Sequence, residues 1–253
     1  MNMIDTHCHL DFDPLLPQLD ELLPAARLAG VTGWVVPGVH PADWERLARV
    51  AGSHDGAMAA FGIHPRHADL ACDEQLERLS ALAADAVAIG EVGLDSACAV
   101  TLELQEAAFR AQIRMAVRLG LPLLVHCRGL FLRTLQILRE ESAGLVGGIM
   151  HAFSGSPEMA REFTRLGFGI SLAGSVTWPA ARRPRHLARE LPLDWLVMET
   201  DAPDLTPHRF RGQPNQPGWL AEVLVAAAEI RGMLVADLAS ATVENTRRIL
   251  GLR

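Results

Sequence analysis

Short runs of apolar and β-branched residues alternate along this chain with longer stretches in which Ala, Leu, Arg and Glu recur at helical spacing. The short runs predict strands, and the longer stretches predict helices between them. The predicted strands are residues 1–7, 30–39, 57–65, 86–95, 121–127, 147–155, 167–174 and 194–203. The predicted helices are residues 14–29, 41–54, 73–84, 101–119, 129–142, 156–166 and 179–190, with one or two more between residues 217 and 250.

Strands that alternate with helices form a parallel sheet, and eight such units are the number that closes a sheet into a barrel. The length of 253 residues suits a (β/α)8 TIM barrel, which often runs to about 250 residues. We therefore expect an α/β fold of the TIM-barrel type, in one domain over residues 1–253. A doubly wound open sheet is the alternative, but it does not explain where the ionisable residues fall.

Histidines and carboxylates follow the predicted strands, at the ends where a barrel of this kind carries its active site. In strand order these residues are His7 and His9, His64, Glu91 with Asp95, His126, His151, and Glu199 with Asp201. Buried imidazoles and carboxylates have to be paired or bound to metal, so the whole set predicts a metal site. The second and seventh strands offer a weaker set, which is His40 and either Ser171 or Ser175.

The types of side chain narrow the choice of metal. Imidazole with carboxylate and without thiolate suits Zn²⁺, Mn²⁺, Fe²⁺ or Co²⁺, whereas Mg²⁺ and Ca²⁺ prefer shells of oxygen. The candidate ligands are more numerous than those that a single catalytic zinc takes from the protein. Their number favours two ions about 3.5–4 Å apart, bridged by a carboxylate. Glu91, the acid nearest the middle of the ordered set, is the bridging candidate.

Two cysteines stand beside candidate ligands, Cys8 between His7 and His9, and Cys127 directly after His126. Successive side chains in an extended strand point to opposite faces. We therefore expect both cysteines to face away from the histidines and to be small buried apolar residues.

Composition restricts the partners and the compartment. The net charge of −7 argues against a broad basic face that holds nucleic acid, although it allows a local cationic cleft or metals that supply positive charge. No apolar run approaches the roughly 20 residues of a membrane helix, and the N-terminus lacks a secretory signal. The four cysteines are scattered without a CxxC pair, which favours reduced thiols and a cytoplasmic protein. We expect no membrane association and no obligate protein partner.

Six segments, in this order and spacing, resemble the TatD family of metal-dependent hydrolases. They are DTHCHLDF, GIHP, AIGEVGLD, LPLLVHCR, HAFSG and ETDAP. The HxH of the first segment is shared with the wider amidohydrolase superfamily, whereas GEVGLD and ETDAP in register with it are specific. The stretch ETDAPDLTPHRFRGQPNQP most resembles the YjjV-type branch, and the whole resemblance spans residues 5 to about 217.

The resemblance implies a TIM barrel with one or two divalent ions, with Zn²⁺, Mn²⁺ or Mg²⁺ as candidates. The metal ligands that it implies are His7, His9, Glu91, His126, His151 and Asp201. The implied chemistry is hydrolysis by a metal-activated water, because a bound metal lowers the pKa of water towards about 7. Asp201 is expected to ligate and to take the proton, with Glu91 as the other catalytic carboxylate. His64 stays near the site, to bind phosphate or protonate the leaving group, or as a structural histidine.

Several members of the family are metal-dependent deoxyribonucleases, including 3′→5′ exonucleases, and others resemble deacylases of aminoacyl-tRNA. We therefore expect a phosphodiesterase acting on DNA. The alternatives are a hydrolase of esters or amides, such as a D-aminoacyl-tRNA deacylase, and a non-catalytic metal-binding barrel. Three arginines are candidates for substrate binding: Arg128 beside His126, and Arg209 and Arg211 after the eighth strand. Trp178 and Phe153 are the best candidates for stacking on bases.

Two departures from the family concern loops. After GLD the family often has an aromatic residue, and this chain reads SACA at residues 96–99. The frequent NEP of the family is NQP here, at Asn215 to Pro217. Neither departure touches an implied ligand, but both loops can shape the substrate pocket.

Overall fold

The computed structural model describes residues 2–252, which form eight strands enclosed by α-helices. The strands are β1 (Met3–Asp5), β2 (Val31–Pro37), β3 (Ala57–Phe61), β4 (Ala88–Asp95), β5 (Leu123–Arg128), β6 (Gly148–Met150), β7 (Phe168–Leu172) and β8 (Leu196–Met198). The helices are α1 (Leu19–Leu28), α2 (Trp44–Ser53), α3 (Asp73–Leu82), α4 (Leu102–Leu119), α5 (Phe131–Glu140), α6 (Pro157–Thr164), α7 (Arg182–Glu190), α8 (Leu220–Arg231) and α9 (Val235–Leu250).

The strands are parallel and lie in the order of the sequence, from β1 to β8. The first and last strands are joined directly beyond β1, where the backbone N–H of Thr6 donates to the carbonyl of Met198, at the end of β8, at 3.0 Å. One step further, the N–H of Asp201 donates to the carbonyl of His7 at 2.9 Å. These bonds bring the first and last strands together, so the TIM-barrel prediction is confirmed and the open sheet is wrong.

All eight predicted strands are present, and the predicted helices differ mainly in where they begin. The helix expected from residue 14 begins at Leu19, because a 3₁₀ turn that contains Pro17 precedes it. The helix expected from residue 41 likewise follows a 3₁₀ turn that begins at Pro41. Proline fixes its own backbone and lacks an N–H donor, so it suits a first turn better than a helix interior. Among the helices of residues 2–252, none combines the length and the apolar composition of a membrane-spanning segment.

The interior of the barrel is apolar at one end and polar at the other. Its apolar layer is a buried cluster of Val35, Ala60, Ala88, Leu124, Ile149 and Val197, with Leu250 of α9 packed against it. The polar residues of the site lie two positions further along several of these strands, and therefore on the same face; Leu124 and His126 are one such pair. At α9, Ile249 fills space that a side chain at Gly169 would occupy, since a Cβ there would lie 2.6 Å from Ile249 Cδ1.

We expect Leu124→Ala to lower the free energy of unfolding by about 2–5 kcal/mol, because it removes methyl groups from a layer that cannot collapse around the gap. Leu28→Ala is the matched control, since Leu28 is 92% exposed and its truncation should change stability by no more than about 0.5 kcal/mol. Urea denaturation of the two variants measures the difference. Equal losses would contradict an interior position for Leu124.

Candidate metal centre

The first two histidines lie in an extended segment that continues from β1 into the mouth of the barrel. Backbone bonds fix this segment on both sides: the N–H of Cys8 donates to the carbonyl of Val35 at 3.0 Å, and that of His9 to Ala202 at 2.9 Å. His7 and His9 face the site, whereas Cys8 is fully buried in the apolar layer outside the strands. The alternation predicted for this segment is confirmed.

Cys127 follows the same rule on β5. It is buried in the outer apolar layer, and its Sγ lies 3.2 Å from Oγ1 of Thr134 on α5. His126, one residue earlier, points to the opposite side and into the site. Neither cysteine belongs to any group of side chains within the described residues that could hold a metal ion.

Glu91 of β4 lies at the centre of the site, and its two oxygens face different histidines. Oε2 lies 3.3 Å from Nε2 of His7 and 3.9 Å from Nε2 of His9. Oε1 lies 2.8 Å from Nδ1 of His126 and 3.6 Å from Nε2 of His151. The two oxygens therefore face different sets of imidazole nitrogens, and the bridging role of Glu91 stays a prediction.

Asp201 reaches the site from the loop after β8. Its backbone has a φ of +58°, a left-handed conformation that is rare outside glycine and is tolerated where surrounding bonds enforce it. Here the N–H of Asp201 is bound to His7, and its carbonyl accepts from the N–H of Asp204 at 2.7 Å. The result is that Oδ1 of Asp201 lies 3.6 Å from Nε2 of His9.

Three overlapping groups of side chains have ligand atoms within 4.8 Å of one another: His7, His9 and Asp201; His7, Glu91 and His151; and His64, Glu91 and His126. Both ring nitrogens of His7 are buried without a hydrogen-bond partner in the described structure. An unpaired buried polar atom is costly, and a metal ion removes that cost for an imidazole nitrogen. The nitrogen and carboxylate donors therefore fit one or more divalent ions.

The electrostatics of the cluster favour a cation. Burial by itself raises the pKa values of Glu91 and Asp201, but the neighbouring imidazoles outweigh it and hold both pKa values below their usual range. Burial lowers the pKa of His151, yet the carboxylates of Glu199, Asp201 and Glu91 outweigh burial and raise that pKa to about 10. The carboxylates of Glu91 and Asp201 are therefore ionised at neutral pH, and they contribute negative charge beside His151.

Two further acids, Glu199 and Asp95, orient histidines of the site. Both were predicted to lie at strand ends, but no role was predicted for either. Oε1 of Glu199 lies 2.9 Å from Nδ1 of His151 and accepts from the N–H of Ala152 at 2.7 Å. Oδ2 of Asp95 lies 3.2 Å from Nε2 of His126. In each case one ring nitrogen contacts the orienting acid, and the other is left facing Glu91.

The backbone beside Glu91 requires glycine at position 93. Gly93 has a φ of +144°, and a Cβ at that position would lie 1.9 Å from the carbonyl oxygen of His126. No side chain can be accommodated there without moving β5 away from β4. The second glycine of GEVGLD therefore sets the spacing between the strands that carry Glu91 and His126.

A buried asparagine ties down the loop that carries Asp201. Asn215 is fully buried, and its Nδ2 donates to the carbonyls of Thr200 and Asp204, each at 2.8 Å. Thr200 is in turn held through its Oγ1, which donates to Oδ2 of Asp5 at 2.6 Å. The NQP stretch thus keeps its asparagine in a structural role.

His64 contacts the cluster through one ring nitrogen only. Its Nδ1 accepts a hydrogen bond from the N–H of Arg66 at 3.0 Å, and its Nε2 lies 3.6 Å from Oε1 of Glu91. Burial is the largest influence on the ring and lowers the pKa of His64 to about 3. The neutral ring therefore carries its proton on Nε2, and it presents a donor to the site.

The cavity over the cluster is small, about 110 Å³, and none of the three predicted substrate arginines lines it. Arg128 is exposed at the end of β5. Arg209 has an ion pair with Glu222, at 3.0 Å, and Arg211 lines a separate cavity. The cavity walls instead include Phe12, Arg66 and Asp204, which sequence reasoning missed. Their position in the sequence could have indicated them, since each lies within three residues of a predicted site residue.

The eight-stranded barrel and the histidine–carboxylate cluster at its carboxyl end define a metal-dependent hydrolase. A sequence profile described as TatD related DNase matches residues 4–251, and the chain therefore belongs to the TatD family.

Relatives of known sequence and structure agree with this assignment. The chain is 38% identical over 250 residues to the uncharacterized metal-dependent hydrolase YabD of Bacillus subtilis, covering 98% of each chain. It superposes on the crystal structure of YjjV, a TatD homologue from Escherichia coli, with a TM-score of 0.94 and 33% identity, covering 99% of this chain and 98% of that one. It is also 36% identical over 241 residues to the 3′-5′ ssDNA/RNA exonuclease TatD of Cronobacter sakazakii, covering 91% and 90% of the two chains.

We expect Glu199→Gln to weaken metal binding by about 10- to 100-fold, because the acid that orients His151 and balances its charge is lost. Competition with a chromophoric chelator measures the affinity for Zn²⁺ or Mn²⁺.

Glu222→Gln is the matched control, since Glu222 pairs only with the exposed Arg209 in the described structure and should leave metal affinity unchanged. An unaltered affinity in Glu199→Gln, with the fold intact by circular dichroism, would contradict the orienting role.

Proposed function

We propose that this protein is a metal-dependent phosphodiesterase that acts on nucleic acid, as a nuclease of the 3′→5′ exonuclease type. The observation that carries the proposal is the division of the Glu91 oxygens between two sets of imidazole nitrogens at the barrel mouth. Paired-ion centres bridged by a carboxylate are typical of enzymes that displace one oxygen of a phosphoryl group by another. The name of the exonuclease TatD of Cronobacter sakazakii supports the same substrate class.

The ligands divide into two sets around Glu91. His7, His9 and Asp201 would hold one ion, and His126 with His151 would hold a second on the side of Oε1. When bound, such ions act as Lewis acids on phosphoryl oxygens and lower the pKa of water. Occupancy by one ion or two, and the choice among Zn²⁺, Mn²⁺ and Mg²⁺, belong to this proposal.

Asp201 is the proposed proton acceptor. Its carboxylate is ionised at neutral pH, because the nearby histidines lower its pKa against the effect of burial. It also lines the cavity, whereas Glu199 on the same strand end is fully buried. An ionised carboxylate at the cavity wall can take the proton of the attacking water as the oxygen of that water bonds to phosphorus. The bond from phosphorus to the leaving oxygen of the strand breaks in the same displacement, and that oxygen takes its proton from solvent.

His64 and Arg66 are the proposed contacts to the phosphoryl oxygens. The Nε2–H of neutral His64 is a hydrogen-bond donor, which suits binding to phosphate better than protonation of a leaving group. The guanidinium of Arg66 lines the same cavity and has no ion pair among the described residues, so its charge is available to a phosphoryl group.

The size of the cavity favours the end of a flexible strand. At about 110 Å³, the cavity is well below the roughly 300–1,000 Å³ of pockets that enclose a drug-sized ligand. The cavity therefore accommodates a phosphoryl group and its immediate neighbours, and the nucleosides on either side have to lie outside it. Arg128, exposed at the end of β5, is a proposed contact to that outer part. Arg209 can become one only by leaving Glu222.

The test uses single-stranded DNA with a 5′ label, incubated with Mg²⁺, Mn²⁺ or Zn²⁺. We expect a ladder of products shortened from the 3′ end, abolished by a chelator and reduced about 10²- to 10⁴-fold in Asp201→Ala, because the proton acceptor is removed. Asp20→Ala is the control, since Asp20 is exposed on α1 and remote from the cluster.

Two results would reject the nuclease proposal. One is the absence of Asp201-dependent shortening with every metal. The other is turnover of carboxylic esters, amides or D-aminoacyl-tRNA without attack on DNA, which would assign the same site to acyl substrates.

A further inference from the structure

A second cavity lies at the barrel mouth, between the loops after β7 and β8. Its volume is about 420 Å³, and its lining residues are Trp178, Pro179, Ala180, Ala181, His208 and Arg211; we call it the Trp178 cavity. The indole of Trp178 is half-buried and fixed, because its Nε1–H donates to the carbonyl of Thr206 at 2.9 Å. The cavity therefore has a rigid aromatic wall and a cationic side chain at its edge.

Some residues that line the Trp178 cavity are close in sequence to residues that line the cavity over the metal ligands. Asp204 lines the cavity over the metal ligands, and His208 lines the Trp178 cavity. Four residues of extended chain span at most about 14 Å. Successive nucleotides in a stacked strand are about 3.4 Å apart, so about four nucleotides cover the stretch from Asp204 to His208.

The charge around the Trp178 cavity suits a polyanion. Residues 178–189 contain no acidic residue, although the chain as a whole has a net charge of −7. Arg211, which lines the cavity, forms no ion pair with a carboxylate in the described structure, and neither does Arg182, the neighbour of Ala181 in its wall. Arg183 lines a different cavity, and Nη1 of Arg185 donates to the carbonyl of Val176. Arg209, two residues before Arg211, differs because Glu222 neutralises it. The guanidinium of Arg211 is therefore available to a phosphate beside the Trp178 cavity.

We propose that the Trp178 cavity binds a nucleobase of single-stranded nucleic acid, a few nucleotides from the scissile phosphate, while Arg211 contacts the adjacent phosphate. Any base can stack on the indole and the apolar wall, because every base has an aromatic face. A base paired within a duplex cannot enter, since both faces are already stacked. Trp178 is thus a specificity-determining residue for strands over single small diesters, an inference that rests on the proposed function.

The experiment measures binding of fluorescein-labelled (dT)₈ in a chelating buffer, where no turnover occurs. We expect Trp178→Ala to weaken binding about 5- to 150-fold, the range found for loss of one stacked base. Trp178→Phe should keep most of the affinity, because it keeps an aromatic face. Arg211→Gln should reduce the slope of log K against log salt by about 0.7, the value for one phosphate contact on a single strand.

Kinetics provide a second readout with metal present. We expect Trp178→Ala to raise KM for (dT)₈ far more than it lowers kcat, and to lower the ratio of kcat/KM for (dT)₈ to that for bis(4-nitrophenyl) phosphate. Trp195→Phe is the matched control, since Trp195 precedes β8 at the other end of the barrel, where it packs under Arg248. It should change neither quantity.

The outcomes separate this inference from the function on which it rests. If the wild type binds and shortens (dT)₈ and Trp178→Ala does so equally well, the subsite is rejected and the nuclease proposal stands. If the wild type neither binds nor shortens it, both fail. If Trp178→Ala changes only the oligomeric state, the cavity is a contact between copies of the chain, and the inference is overturned.

Discussion

The buried carboxylate of Glu91 is the group on which the arrangement of this molecule depends. It is 3% exposed, and an ionised carboxylate so far from water is stable only when positive or donor groups surround it. Five histidines place a ring nitrogen within 3.9 Å of its two oxygens. These histidines come from the ends of four strands that are distant in sequence. A closed parallel barrel brings such ends to one point, and an open sheet does not, so the requirements of one carboxylate and the topology of the whole chain are linked.

Around that centre lies a second layer of polar groups whose function is to hold the first in place. Glu199 and Asp95 each contact a histidine, and Asn215 fastens the loop after β8. Their cost of burial is met by hydrogen bonds to backbone, as in the pair of bonds that Asn215 donates. Gly93 contributes because it has no side chain, and only such a residue lets β4 and β5 approach each other beside Glu91. Rigidity of this layer explains how a backbone conformation as unfavourable as that of Asp201 persists.

Much of the fold and part of the site could be predicted from the sequence, because periodicity and strand order carry information about topology. The eight strands, their closure and the ionisable residues at the strand ends follow from apolar runs and from the residues after them. The choice of six metal ligands from that set came from the resemblance to the TatD family. Helix starts were less predictable, since a proline such as Pro17 converts the first turn to a 3₁₀ turn. The roles of Asp95 and Glu199 required distances, because adjacent acids of one strand end look alike in sequence. Arg66 and Asp204 were missed for a related reason: loops place side chains by their folded path, which has no fixed period.

The distribution of arginine reconciles a net charge of −7 with the polyanionic substrate that we propose. On the outer helices, arginines such as Arg110, Arg114 and Arg139 form ion pairs with glutamates. Among the residues described, several arginines near the mouth have no such pair: Arg66 and Arg211 on loops, Arg128 at the end of β5, and Arg182 and Arg183 in the first turn of α7. Net charge averages over the whole surface, whereas a strand end near the mouth experiences the groups within about one Debye length, about 8 Å at physiological salt. A protein that is acidic overall can therefore attract phosphate at its mouth, and its neutralised helices contribute little to that local field.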